Sequence, residues 1–93
     1  MKCYAQATSA GEVDLVMPTG RVTLTAEDGH RLLFHGATIV VGEFTLTRFK
    51  QLILVAGGRA RYTADSKTLG ALFRGDRVRC KIYPAPHSGE VGI

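Results

Sequence analysis

Arg77-Val78-Arg79-Cys80-Lys81-Ile82-Tyr83 alternates without a fault. Val78, Cys80 and Ile82 share one parity, and Arg77, Arg79, Lys81 and Tyr83 share the other. Successive side chains leave a strand on opposite sides, so period two marks a β-strand with one buried face. A chain organised around such a strand needs further strands to cover its apolar face. The outward face, three cations and one aromatic, suits a negatively charged partner.

The rest of the sequence offers those strands. Lys2 to Ala7 is a first candidate, with Cys3, Ala5 and Ala7 on one face and Tyr4 on the other. Val13, Leu15 and Met17 alternate in a second, ended by Pro18-Thr19-Gly20. In Arg21 to Ala26, Val22, Leu24 and Ala26 face one way. Asp28-Gly29 then reads as a two-residue type I′ hairpin turn. Its register sets Leu24 opposite Leu33 and Val22 opposite His35, which places His35 on an apolar face. Gly42, between Thr38–Val41 and Glu43–Thr47, suggests a bulge or sharp bend. Phe49 to Ala56 is apolar on both faces, so it is either central in a two-layer core or partly covered by another subunit. Gly57-Gly58 reads as a second hairpin turn. It opposes Ile53 to Tyr62 and Leu54 to Arg61, with Ile53, Val55, Ala60 and Tyr62 on one face.

One helix is expected, within Asp65 to Arg74. Asp65 or Ser66 can cap it, Leu69, Leu72 and Phe73 sit at helical spacing, and Gly75 stops it. Pro84-Ala85-Pro86 ends the basic strand, and His87-Ser88-Gly89 leads to a short last segment, Glu90 to Ile93. No repeat, linker or low-complexity stretch stands out. The expected fold is all-β: a small closed or partly open barrel, or a sandwich, of short antiparallel strands with one short helix near residues 65–74. At 93 residues the chain reads as a single small domain, 1–93.

Charge is unevenly placed. Met1 to Thr47 carries three bases against five acids, and Arg48 to Ile93 nine bases against three. The net charge of +4 therefore arises in the second half. Such asymmetry points to a polyanion, most directly nucleic acid, or to a contact between acidic and basic halves of neighbouring subunits. Two cysteines, Cys3 and Cys80, are too few for a disulfide scaffold and match no metal spacing. Both are expected to be reduced and structural, and the inward parity of Cys80 argues for burial despite Arg79 and Lys81 beside it. The N-terminus lacks the apolar core of a signal peptide, and the longest apolar run, Leu52 to Gly58, is far too short to cross a bilayer. The expected location is the cytoplasm, or a particle assembled there, with no membrane contact.

No catalytic constellation is present. His30, His35 and His87 have no ligand neighbour at helical or turn spacing, and there is no nucleophile elbow or phosphate-binding glycine loop. No enzyme activity, metal or cofactor is expected. Arg74-Gly75-Asp76 matches an integrin-binding triplet, but reads as a helix stop and turn. The functional expectation is a non-enzymatic binding module in which Arg59, Arg61, Arg77, Arg79, Lys81 and Tyr83 form a basic β face, with Arg48, Lys50 and Lys67 at its rim. The cations would neutralise phosphates and Tyr83 would stack on an unpaired base. The alternative is a self-assembling structural protein, a virion or oligomeric shell component and a homo-oligomer, whose acidic and basic halves meet at subunit contacts.

Overall fold

The computed structural model describes residues 3–85. His87 and the expected segment Glu90 to Ile93 lie outside them. Eight antiparallel strands form a nearly closed barrel: β1 (Tyr4–Ala7), β2 (Val13–Met17), β3 (Gly20–Leu24), β4 (Ile39–Val41), β5 (Phe44–Phe49), β6 (Leu52–Gly57), β7 (Ala60–Asp65) and β8 (Cys80–Pro84). They are ordered β3-β2-β1-β8-β7-β6-β5-β4. Helix α1 (Ala26–Phe34) follows β3 and helix α2 (Ser66–Phe73) follows β7.

The inward parity is as expected along most strands. Val13, Leu15, Met17, Val22, Leu24, Ile53, Val55, Tyr62, Cys80 and Ile82 are all buried. Tyr62 keeps its hydroxyl 3.3 Å from that of Thr19, which satisfies the one polar atom of a buried ring. Helix α2 also forms where expected. Asp65 caps it, accepting from the Lys67 N–H and the Thr68 hydroxyl. Gly75, at φ 85°, ends it, while the Gly75 and Asp76 N–H groups donate to Leu72 and Ala71 carbonyls. That is the Schellman pattern, in which a left-handed glycine lets the chain fold back onto the last carbonyls.

Several expectations are corrected. Asp28-Gly29 is not a hairpin turn but the first turns of α1. Thr25 caps this helix through an Asp28 N–H bond of 3.1 Å, and Glu27 and Asp28 complement its N-terminal dipole. There are thus two helices rather than one, and His35 is the exposed C-cap of α1 instead of a core residue. In the β6–β7 hairpin the turn is Gly58-Arg59, so Val55 rather than Ile53 opposes Tyr62, and Leu54 opposes Thr63 rather than Arg61. A slip of two residues preserves parity, so the buried face is unchanged. Gly42, at φ 60°, sits in a two-residue turn that brings Val41 opposite Phe44, not in a bulge. Finally, β8 begins at Cys80; Arg77 to Arg79 precede it, and Val78 is exposed.

The chain also contains a repeat. Each half runs strand-strand-strand-helix-strand: β1-β2-β3-α1-β4, then β5-β6-β7-α2-β8. The ladders superpose, since Val13 opposite Leu24 corresponds to Ile53 opposite Ala64, and Leu15 opposite Val22 to Val55 opposite Tyr62. Ala5 opposite Cys80 corresponds to Leu46 opposite Ile39. The halves interlock, because β8 of the second pairs with β1 of the first and β4 of the first pairs with β5 of the second. None of these core pairs repeats its residues, so the structural repeat leaves no trace in the sequence at them. The symmetry is broken most plainly between the third and fourth strands of each half. β7 and β8 are zipped over three residue pairs, whereas their counterparts β3 and β4 approach without a hydrogen-bonded ladder. The tight turn at Gly42-Glu43 cuts β4 short, while β8 continues to Pro84.

Candidate polyanion-binding strip on β8

β8 presents Lys81 and Tyr83 outward, with Cys80 and Ile82 in the core. Pairing with β1 sets Lys81 directly opposite Tyr4. Residues directly opposite on antiparallel strands share a face, with Cβ atoms ~4.5–5.5 Å apart. Tyr4 is 39% and Tyr83 58% exposed, so Lys81 has one accessible aromatic residue across the ladder and another two positions along β8. Upstream of β8 the chain leaves the ladder, and a groove opens beside β1. Tyr4, Gln6, Val78, Arg79 and Lys81 line one part of it. Arg77 and Asp76 line the adjoining part, with Gln6 and Arg79 again. The groove thus brings Arg77, Arg79 and Lys81 together, while Tyr83 lies further along β8, outside the groove lining. Tyr4 completes the group and was not expected there, because only the β1–β8 pairing places it.

Arg59 and Arg61 do not join that cluster. β7 runs antiparallel to β8, so the start of β7 meets the end of β8. The Ala85 N–H donates to the Arg61 carbonyl at 2.8 Å. Arg61 thus stands at the level of Ala85, four residues and ~13 Å beyond Lys81. Arg59 lies further out in the turn. Of the expected rim, Arg48 is committed to the fold: its Nη1 donates to the Leu33 carbonyl at the end of α1, and its Nε donates to the Lys50 carbonyl at 2.9 Å. Lys50 places its ammonium group 5.7 Å from the centre of the Phe49 ring. Lys67 sits in the first turn of α2 beside Asp65.

Among the described residues, the one ion pair is Arg74 with Asp76, at 3.4 Å and well exposed. Arg77, Arg79 and Lys81 form no ion pair among the described residues. Burial, helped by the Asp65 carboxylate, pushes the Cys80 thiol up to about 11. Cys80 is therefore a core thiol and not a reactive one, and both it and Cys3 are free. Asp14, buried on the outer side of β2, accepts a 2.6 Å bond from the Thr23 hydroxyl. His30 and His35 lie with ring centres 5.0 Å apart at the end of α1. No group of three or more His, Cys, Asp or Glu among the described residues is placed to hold a metal. No helix among them is long and apolar enough to cross a membrane. No family model matches the chain, and neither does any curated protein or solved structure.

Proposed function

We propose that this protein is a non-enzymatic binding module for a polyanion, with single-stranded nucleic acid as its best-fitting partner, and that Tyr4, Arg77, Arg79, Lys81 and Tyr83 carry the contact. The observation behind this reading is the opposition of Tyr4 and Lys81, which gives Lys81 one accessible aromatic residue across the ladder beside Tyr83 two positions along β8. Cations neutralise phosphates whatever the sequence, and phenol rings stack on bases that are not already paired. The two together favour a single strand over a duplex. Arg61, Arg59 and Arg48 stand outside the strip.

The test is fluorescence anisotropy with single-stranded and duplex oligonucleotides over a range of salt. Affinity should fall steeply with salt. Lys81→Ala should weaken binding and reduce the salt slope by about one phosphate contact. Tyr4→Ala and Tyr83→Ala should weaken single strands more than duplex. If Arg79→Glu and Lys81→Glu bind as well as the parent, the strip is not the site.

Self-assembly as a structural component is the second reading. One observation favours it: Phe49, Leu52 and Leu54 are 50%, 43% and 38% exposed on the outside of β5 and β6. Such a row of large apolar side chains is more than the scattered exposure ordinary surfaces carry.

A further inference from the structure

We infer that the outer face of β5, β6 and β7 is a two-fold interface that takes a second copy of this chain. The inference rests on the self-assembly reading and is separate from the β8 strip. Three rows of three residues make up the face. Phe49, Leu52 and Asp65 form one row, Thr47, Leu54 and Thr63 the next, and Thr45, Ala56 and Arg61 the third. Leu54 stands at the centre.

The arrangement is complementary to itself. A two-fold axis lying in the face, across the strands and through the middle row, exchanges the outer rows. Leu54 then meets Leu54, while Leu52 meets Ala56 and Phe49 meets Thr45, large against small. Asp65 meets Arg61 at both ends, acid against base. An isologous contact requires this property, that a patch complement its own image. A partner of unrelated shape would give no reason for charge and size to be opposed about a single residue.

The internal repeat supplies a control. The position of Leu54, opposite Thr63, in the second half corresponds to that of Asp14, opposite Thr23, in the first. At that position the first half carries an acidic side chain bonded to the Thr23 hydroxyl, so the barrel does not require an apolar one there. Lys81 and Tyr4 lie beyond the edge of this face, while Tyr83, opposite Thr63, borders it. Strands of an eight-stranded barrel each turn by roughly an eighth of the circumference from the last, so β8 faces about a quarter-turn away from β6.

The experiment is light scattering on the full chain, together with disulfide trapping of Leu54→Cys under mild oxidation, with circular dichroism confirming the fold. Because Leu54 lies on the axis, two copies of the new cysteine should meet and trap a covalent dimer. Thr23→Cys, at the position in the first half matching Thr63, should not. Leu54→Glu should give a monomer, and Arg61→Glu should weaken the dimer by setting acid against acid. A parent that is monomeric at micromolar concentration and above would overturn both this inference and the self-assembly reading. An oligomer that Leu54→Cys fails to trap, or that Arg61→Glu leaves at full strength, would overturn this interface while the self-assembly reading survives.

Discussion

The ring of Phe73 fills the space in which a side chain at Gly29 would begin: a Cβ added to Gly29 would lie 2.4 Å from the ring. That contact joins α2 to α1, and it explains a glycine in the middle of a helix. Gly29 is there for close approach of the second helix, not to reverse the chain.

Two glycines in the two helices should therefore respond oppositely to the same change. Alanine is favoured over glycine inside a helix by ~1 kcal/mol. At Gly70 an added Cβ comes no closer than 3.7 Å to Leu33, an ordinary contact, so Gly70→Ala should stabilise by up to ~1 kcal/mol. At Gly29 the neighbour is a rigid ring, and overpacking costs ~1–3 kcal/mol. Gly29→Ala should be net destabilising in urea titrations, and Phe73→Leu should relieve part of that loss. A stabilised Gly29→Ala would contradict the helix contact.

Cys3 and Cys80 should separate in a thiol titration. Cys80 is buried and Cys3 only partly so, so Cys3 should react first and Cys80 only as the protein opens. The Cys80 thiol is raised in the fold, to about 11. Its contribution to stability is then complete below the unfolded-state value, ~8.5, and is lost as pH rises through the folded one. Cys80→Ala should remove that alkaline loss. Equal, fast reaction of both thiols in the native protein would refute the assignment.

Asp65 caps α2 and is held below the usual carboxylate range, chiefly by the Thr68 hydroxyl. A depressed folded pKa adds stability above the unfolded value, ~3.9, and that stability disappears as pH falls through the folded value. Asp65→Ala should cost ~1 kcal/mol near neutral pH. Asp65→Asn, which can still cap, should cost less and flatten the acid limb of the stability curve. Denaturant melts from neutral to acid pH would show both effects.

Arg48 and Lys81 should divide stability from binding. Arg48 ties β5 to the end of α1 through the Leu33 carbonyl, and one such bond is worth ~1 kcal/mol or somewhat more. Arg48→Ala should lower the melting temperature and leave polyanion affinity nearly unchanged. Lys81→Ala should do the reverse. If Arg48→Ala weakens binding as much as Lys81→Ala at a temperature where both are folded, the strip extends to the β5 end of the barrel.

Much of this architecture is legible in the residues. The inward faces of β2, β3, β6, β7 and β8 follow from alternation, and α2 follows from Asp65 at one end and Gly75 at the other. These signals are local. Side-chain parity is imposed by the covalent chain whatever strand lies alongside, and a cap or a left-handed glycine acts on the turn next to it. The alternation that makes Arg77, Arg79, Lys81 and Tyr83 stand out is a signal of the same kind, although only Lys81 and Tyr83 lie on β8 itself.

Tertiary structure decided the rest. Thr25, the acidic first turn and Leu32-Leu33 admit a helix, while Asp28-Gly29 admits a hairpin, and the choice goes to the helix because Phe73 packs where Gly29 has no side chain. Register is decided across strands too, so the β6–β7 hairpin could shift by two residues without changing any face. Tyr4 meets Lys81 only because the barrel zips β1 to β8. Parity tells a side chain which way to point, but which neighbours it finds there depends on contacts between distant parts of the chain, and those are set by the packing of the whole barrel.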